Sequence, residues 1–281
     1  ALMSDAQRST VPRVSAVISV LDPDPVYFHE AVASVLNQTV SDLELIIIEE
    51  PSERRAADTL AKFDDPRVRH FLHHERTTLV AQRNRGLENA RSQFVALLDA
   101  DDICFPDRFE KQLKFLGAHP DVAVLGSQLE VMGPKGERLG YRHYPCEHDE
   151  IVHALARFNA IAQPAVMYRK TSVIEAGGYQ YARHKFTEDY ELWSRMAKLG
   201  YRLANHSEAL IRYRVHPSGS KTSSLMSILL GTIEIKQMHW ADVRDPDARL
   251  RRLLERLLVH APPKLVLKLF LALQISRRHP R

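Results

Sequence analysis

Apolar residues in the first hundred positions come in short runs separated by stretches of helical spacing. Val14 to Leu21 is β-branched and apolar without alternation, the pattern of a strand buried on both faces. Leu43 to Ile48 is a second such strand, Val68 to His73 a third and Phe94 to Leu98 a fourth. Between them, Tyr27 to Gln38 sets Phe28, Val32 and Val35 on one side of a helix; Ser52 to Phe63 and Leu79 to Ala90 read as two more. This β-α-β-α-β-α-β order predicts an α/β fold with a mainly parallel, right-handed central sheet and helices on both faces.

Past Pro120 the pattern is mixed. Strands are expected at Val122 to Leu125, Gln128 to Met132, Ala165 to Tyr168 and Ile211 to Val215, with a turn at Gly133-Pro134-Lys135-Gly136. Helices are expected at Glu147 to Ala156, Thr171 to Ala176 (stopped by Gly177-Gly178) and Glu188 to Leu199. Residues 13–120 and 121–220 read as two halves of one domain, preceded by a polar, disordered 1–12 and followed by a helical extension over 221–281.

Composition narrows the class. The 281 residues are 44% hydrophobic and 26% charged, as in a globular protein, and a net charge of +4 does not call for a nucleic-acid partner. Two cysteines, Cys104 and Cys146, indicate neither a disulfide framework nor a cysteine zinc site. No run reaches the roughly 20 apolar residues of a bilayer span, and no signal-peptide core is evident, so a cytoplasmic location is expected.

The chemistry begins where the fourth strand ends. Phe94-Val95-Ala96-Leu97-Leu98 runs into Asp99-Ala100-Asp101-Asp102. Carboxylates so close repel one another, and a bound hard cation, Mg²⁺ or Mn²⁺, offsets that repulsion. The carboxyl end of a strand is also where open α/β sheets bind ligands. The alternative is a solvated acidic turn ahead of the helix over 106–116. No turn carries a glycine-rich phosphate loop, so bound phosphates would have to be neutralised by a metal.

Five pieces then occur in an order that resembles inverting glycosyltransferase family 2, with its Rossmann-like GT-A fold. They are Val14 to Pro25; Ala33-Ser34-Val35-Leu36-Asn37-Gln38-Thr39; Leu43 to Ser52; Ala81-Gln82-Arg83-Asn84-Arg85-Gly86-Leu87 running on to Asp102; and Gly177-Gly178 with Thr187-Glu188-Asp189-Tyr190, followed by Tyr213 to Ser220. The resemblance spans roughly Val14 to Ser220. It implies transfer of a sugar from a nucleoside-diphosphate sugar to an acceptor hydroxyl. Asp101, Asp99 and His216 would hold Mn²⁺ or Mg²⁺, and Asp99 and Ala100 would line the donor. Ser19 and Leu21 would meet the base through their backbone, with Glu49, Arg83 and Asn84 completing the nucleotide pocket. Asp189 would be the general base, with Glu188 its competitor; a carboxylate in a first helical turn is held in one orientation and favoured in its ionised form. Asp102 is open between a ligand and a cap of the next helix.

Two positions depart from the family pattern. Glu49-Glu50-Pro51 replaces its usual Asp-Asp-Gly, which leaves the nucleobase open, and Ser19-Val20-Leu21-Asp22 replaces the usual end of its first strand. A non-catalytic binding protein on the same scaffold therefore stays an alternative. A sugar-1-phosphate nucleotidyltransferase is another, but Leu21-Asp22-Pro23-Asp24-Pro25 lacks the glycine-rich loop that it predicts.

In the tail, Leu250, Leu253, Leu254, Leu257 and Leu258 follow helical spacing among Arg249, Arg251, Arg252 and Arg256. After Pro262-Pro263, Lys264 to Ile275 is again basic and apolar. Either these helices pack on protein, or they lie on a membrane surface, with a glycan or lipid-linked acceptor at the cytoplasmic face.

Overall fold

The computed structural model describes residues 11–181, 183–216, 224–259 and 261. Positions 1–10 and Lys264 to Ile275, for which disorder and a basic apolar run were expected, lie outside the described residues. Strands β1 (Val14–Val20), β2 (Leu43–Glu49), β3 (Val68–Leu72) and β4 (Phe94–Asp99) form the expected parallel half-sheet, ordered β3-β2-β1-β4. The path continues through β8 (Met167–Arg169), β6 (Val122–Met132) and β9 (Arg202–Arg214) to β5 (Ile103–Cys104), with β7 (Arg138–Arg142) paired to β6. Strands β1, β2, β3, β4, β6 and β9 run one way; β5, β7 and β8 run the other.

Alternation in the buried strands feeds two cores. Ala16, Ile18, Leu45, Ile47, Ala96 and Leu98 face one side, under α1 (Pro25–Leu36), α2 (Ala56–Leu60) and α4 (Arg108–Ala118). Val17, Ile46, Ile48, Val95 and Leu97 face the other. There α3 (Leu79–Asn89), α5 (His148–Leu155), α6 (Lys170–Glu175) and α7 (Glu188–Lys198) pack, joined by α8 (Leu225–Trp240) and α9 (Pro246–Leu258). The period of two thus serves both layers of a doubly wound sheet.

Local signals set the helix starts. Asp24 caps α1 by accepting from the Val26 and Tyr27 amides, and Pro25 occupies the first turn. Thr78 caps α3 through the Ala81 amide. Three expectations are corrected. The second helix is only Ala56–Leu60, because Glu49 and Asp22 bind the chain ahead of it. The two strands expected over 122–132 are one; Gly126 lets it run through, since a Cβ there would sit 2.1 Å from the Asn205 Oδ1. Finally, β9 begins nine residues before the expected Ile211, its polar first half hidden from a periodicity reading by register shifts against β6.

Registers bring the site together. Val20 pairs with Glu49 and Ser19 with Asp99, so the carboxyl ends of β1, β2 and β4 share one edge. The chain leaves β1 toward β2 and β3, then returns to β4 on its other flank, which makes the β1–β4 crevice the topological switch point. Helix α3 packs closely on β1: a Cβ on Gly86 would lie 2.5 Å from Val17 Cγ1. Gly86→Ala is expected to destabilise the protein by about 1–2 kcal/mol. Overpacking costs about 1–3 kcal/mol, and alanine recovers up to about 1 kcal/mol of helix propensity. An unchanged denaturation midpoint would count against this close approach.

Candidate active site

Asp99, at the end of β4, and Asp101 and Asp102, in the turn after it, each offer a ligand oxygen, all within 4.8 Å of one another. His216, just beyond β9, brings Nε2 to 3.0 Å from Asp101 Oδ2. Asp99 and Asp101 are partly exposed, whereas Asp102 is fully buried and accepts from the Arg214 amide at 2.8 Å. Asp102 therefore does not cap α4, whose N-cap is Asp107; it ties the acidic turn to β9. Arg214 adds a second tie, from Nε to the Asp101 carbonyl at 2.9 Å. Oxygen donors in such a cluster, with an imidazole beside them, fit a hard divalent cation.

Tyr27 of α1 completes this corner. Its ring lies 4.1 Å from the Arg214 guanidinium carbon and meets the His216 ring edge-on at 5.4 Å. Arg214 also pairs with Glu30 on α1. Neither Tyr27 nor Arg214 was singled out in the sequence, where both read as ordinary members of an element.

Arg83 of α3 stands between the two halves of the site. It is buried. Nη1 donates to Ser19 Oγ at 3.4 Å; Nη2 donates to Asp99 Oδ1 at 3.3 Å and to Gln163 Oε1 at 2.7 Å; Nε lies 3.8 Å from Glu188 Oε1. Burial opposes its charge, but Asp99 and Glu188 outweigh this and hold its pKa above the ordinary arginine value. A guanidinium only donates, so Gln163 must turn its amide oxygen to Arg83. The Arg83 Nε and Gln163 Nε2 are buried donors with no hydrogen-bond partner among the described residues.

Glu188 and Asp189 open α7 and diverge. Glu188 faces Arg83. Asp189 Oδ2 accepts from Asn159 Nδ2 at 2.8 Å, and its Oδ1 accepts from the Tyr190 amide at 2.8 Å. Behind them Leu192 and Trp193 are fully buried in the core.

Other expected site residues hold bonds within the chain or lie along the same edge. Glu49 is wholly buried with both oxygens engaged. Oε1 accepts from Arg55 Nε (3.0 Å) and the Ala56 amide (2.9 Å), and Oε2 lies 2.6 Å from His70 Nε2. Expected to receive a nucleobase, this carboxylate also braces the start of α2, where a helix favours negative charge. Glu50 likewise binds the Thr77 amide and hydroxyl. Asn84 exchanges two hydrogen bonds with the Tyr179 backbone, at 2.8 and 2.9 Å, pinning the segment after Gly177-Gly178 to α3. Leu21 is exposed beyond β1, and Ala100 sits between Asp99 and Asp101 at the crevice.

Burial, then the like charge of Asp189, pushes the Glu188 carboxyl up to about 7, with Arg83 pulling the other way. Its folded pKa stands above the ordinary value of 4.5, so the folded state holds this proton more tightly. The resulting stabilisation is complete below that ordinary value and is lost as pH rises through about 7. Wild-type melting temperature should therefore fall relative to Glu188→Gln as pH is raised through this window. Parallel profiles would overturn the assignment.

Comparison with known proteins follows the same outline. The model of the family described as "Glycosyl transferase family 2" matches residues 15–187. An amylovoran biosynthesis glycosyltransferase of Erwinia amylovora, AmsE, is 40% identical over 133 residues, 47% of this chain and 48% of its own length. The matched part thus spans about half of that relative. An O-antigen biosynthesis glycosyltransferase of Escherichia coli, WbnJ, is 30% identical over 204 residues, 71% of this chain and 78% of its own. Among solved structures, S. aureus TarS 1-349 in complex with UDP-GlcNAc superimposes with a TM-score of 0.64 at 15% identity, covering 84% of this chain and 69% of that one. The mannosyltransferase PcManGT from Pyrobaculum calidifontis, in complex with GDP-Man and Mn²⁺, gives 0.63 at 14% identity, covering 92% and 73%. At these identities the structural likeness speaks for the fold.

Proposed function

The chain belongs to glycosyl transferase family 2, and from its site we propose that it moves a sugar from a nucleoside-diphosphate sugar to an acceptor hydroxyl, with inversion at the transferred carbon. The observation that carries this reading is the pairing of two unlike carboxylate groups across one buried arginine. On one side, Asp99 and Asp101 with His216 form a cation-compatible cluster. On the other, Asp189 is oriented at a helix start by Asn159. Arg83 contacts Asp99 and Glu188 and so spaces the two sides.

Each residue then has a task. Asp101, Asp99 and His216 would hold Mn²⁺ or Mg²⁺, which when bound acts as a Lewis acid on the leaving diphosphate. Asp189 takes the proton of the acceptor hydroxyl as that oxygen attacks. Glu188, turned toward Arg83, balances charge and is not the base. The backbone at Ser19 and Leu21 meets the nucleobase, beside Glu49 at the end of β2 and Glu50 just after it, which also hold bonds within the chain. Arg83 Nε and Gln163 Nε2 are buried donors that the oxygens of a bound donor would satisfy. The names of the relatives from Erwinia and Escherichia support assembly of a cell-surface polysaccharide, with a glycan or lipid-linked glycan as acceptor.

Thermal shift with UDP, GDP and dTDP, each with and without Mn²⁺, reads the donor site, since a ligand of the folded state raises its melting temperature. One nucleotide is expected to give a Mn²⁺-dependent shift that Asp101→Asn abolishes. No shift with any nucleotide would favour the non-catalytic reading. Asp189→Asn should keep the shift and lower kcat by about 10²–10⁴-fold, the usual contribution of a general base. A wild-type rate in that variant would move the base elsewhere.

A further inference from the structure

Helix α9 is packed inside out. A polar stripe of the helix faces the protein: Glu255 is 9% exposed and accepts from the fully buried Lys236 Nζ of α8 at 2.6 and 2.7 Å. Arg252 donates to the Trp240 and Val243 carbonyls, and the Arg251 guanidinium lies over the Phe158 ring. The apolar face is turned out. Leu250, Leu253, Leu254 and Leu257 share one stripe at i, i+3, i+4 and i+7 and are 49% to 61% exposed. Arg249 and Arg256 are exposed beside them, with no carboxylate partner among the described residues. Arg244, Arg249 and Arg252 line an open cleft of about 560 Å³ at the corner between α8 and α9, with Asp242 on its wall.

We propose that this face docks on an anionic lipid surface, the leucines entering the headgroup–acyl boundary and the arginines meeting lipid phosphates. A helix whose polar side is anchored in protein presents its apolar side whether or not a partner is present, as interfacial binding requires. Charge selects the lipid. Asp242 and Asp247 lie toward the start of the helix, and no Asp or Glu follows Glu255 in the sequence, whereas Arg256, Lys264, Lys268, Arg277, Arg278 and Arg281 do. A second copy docked on the same stripe would bring like arginines together, which disfavours a self-paired face. Helix α8 carries this orientation to the catalytic side: Glu234 accepts from Tyr181 Oη, Ser227 Oγ accepts from the Lys185 amide, and His239 pairs with Glu191 of α7. The proposal stands independently of the sugar-transfer reading.

The test is co-sedimentation of the full chain with vesicles of phosphatidylcholine alone and with added phosphatidylglycerol. Binding is expected to the anionic vesicles only, weakening with salt. Leu253→Ser with Leu257→Ser should weaken it at least about a hundredfold. Arg249→Gln and Arg256→Gln should each weaken it about fivefold. Melting temperature and the nucleotide-induced shift should stay unchanged in both sets. Failure to bind either vesicle, or undiminished binding by the leucine variant, overturns the proposal. So does a dimer-to-monomer change in the leucine variant, which assigns the face to a second copy. A lowered melting temperature in that variant also overturns it, because the face is then covered by the chain itself.

Discussion

The carboxylates of Asp99, Asp101, Asp102, Glu188 and Asp189 converge at one edge of the sheet, and buried arginine charge permits it. Arg83 reaches Asp99 and Glu188 from α3, and from β9 Arg214 bonds the Asp101 carbonyl through its guanidinium and the Asp102 side chain through its backbone amide. Without a cation among them, buried carboxylates would take up protons or push apart. Arg83 has one edge to offer the donor side and another to offer the acceptor side, so a single guanidinium sets the spacing across which transfer is proposed to occur. The raised pKa of Glu188 reflects its burial first and the like charge of Asp189 second, which Arg83 only partly offsets.

Around that constraint most polar side chains act as braces. Glu49 and Glu50 tie the ends of β2 to α2 and to the start of α3. Asn84 ties α3 to the segment ahead of α7. Arg108, fully buried in α4, donates to the Leu97 and Val166 carbonyls and so joins β4 to the chain entering β8. Each bond anchors a loop to a buried strand or helix, which is how mobile connections can present reactive groups in fixed geometry. The residues left to face ligand are few because the rest hold them in place.

The C-terminal helices extend the same logic outward. Helix α8 packs beside α7 and bonds Tyr181 and Lys185, while α9 is fastened to α8 by the Lys236–Glu255 pair. Burying that pair is expensive unless both charges are satisfied. It orients α9 with its leucines outward, the reverse of what an amphipathic helix on a water-facing protein does.

The sequence by itself determined the elements whose signal is local. The β-branched runs of β1, β2 and β4, the capping residues of α1 and α3, the acidic turn after Leu98 and the Glu-Asp start of α7 were all legible, because strand burial and helix starts are written in adjacent positions. Family membership followed from their order. Tertiary structure alone decided which side chains face the crevice. The bonds that Glu49 and Asn84 hold within the chain, to His70 and Tyr179, had no local signal; Tyr27, Asn159, Gln163 and Arg214 entered the site from tens of residues away. The polar first half of β9 and the short β5 and β7 were invisible for the same reason, since they are held by partners and not by a pattern of their own. In α9 the periodicity predicted an amphipathic helix, but only the buried Lys236–Glu255 pair decided which face the solvent would meet. Periodicity carries the existence of a face; its direction depends on a contact between residues that the chain brings together only when folded.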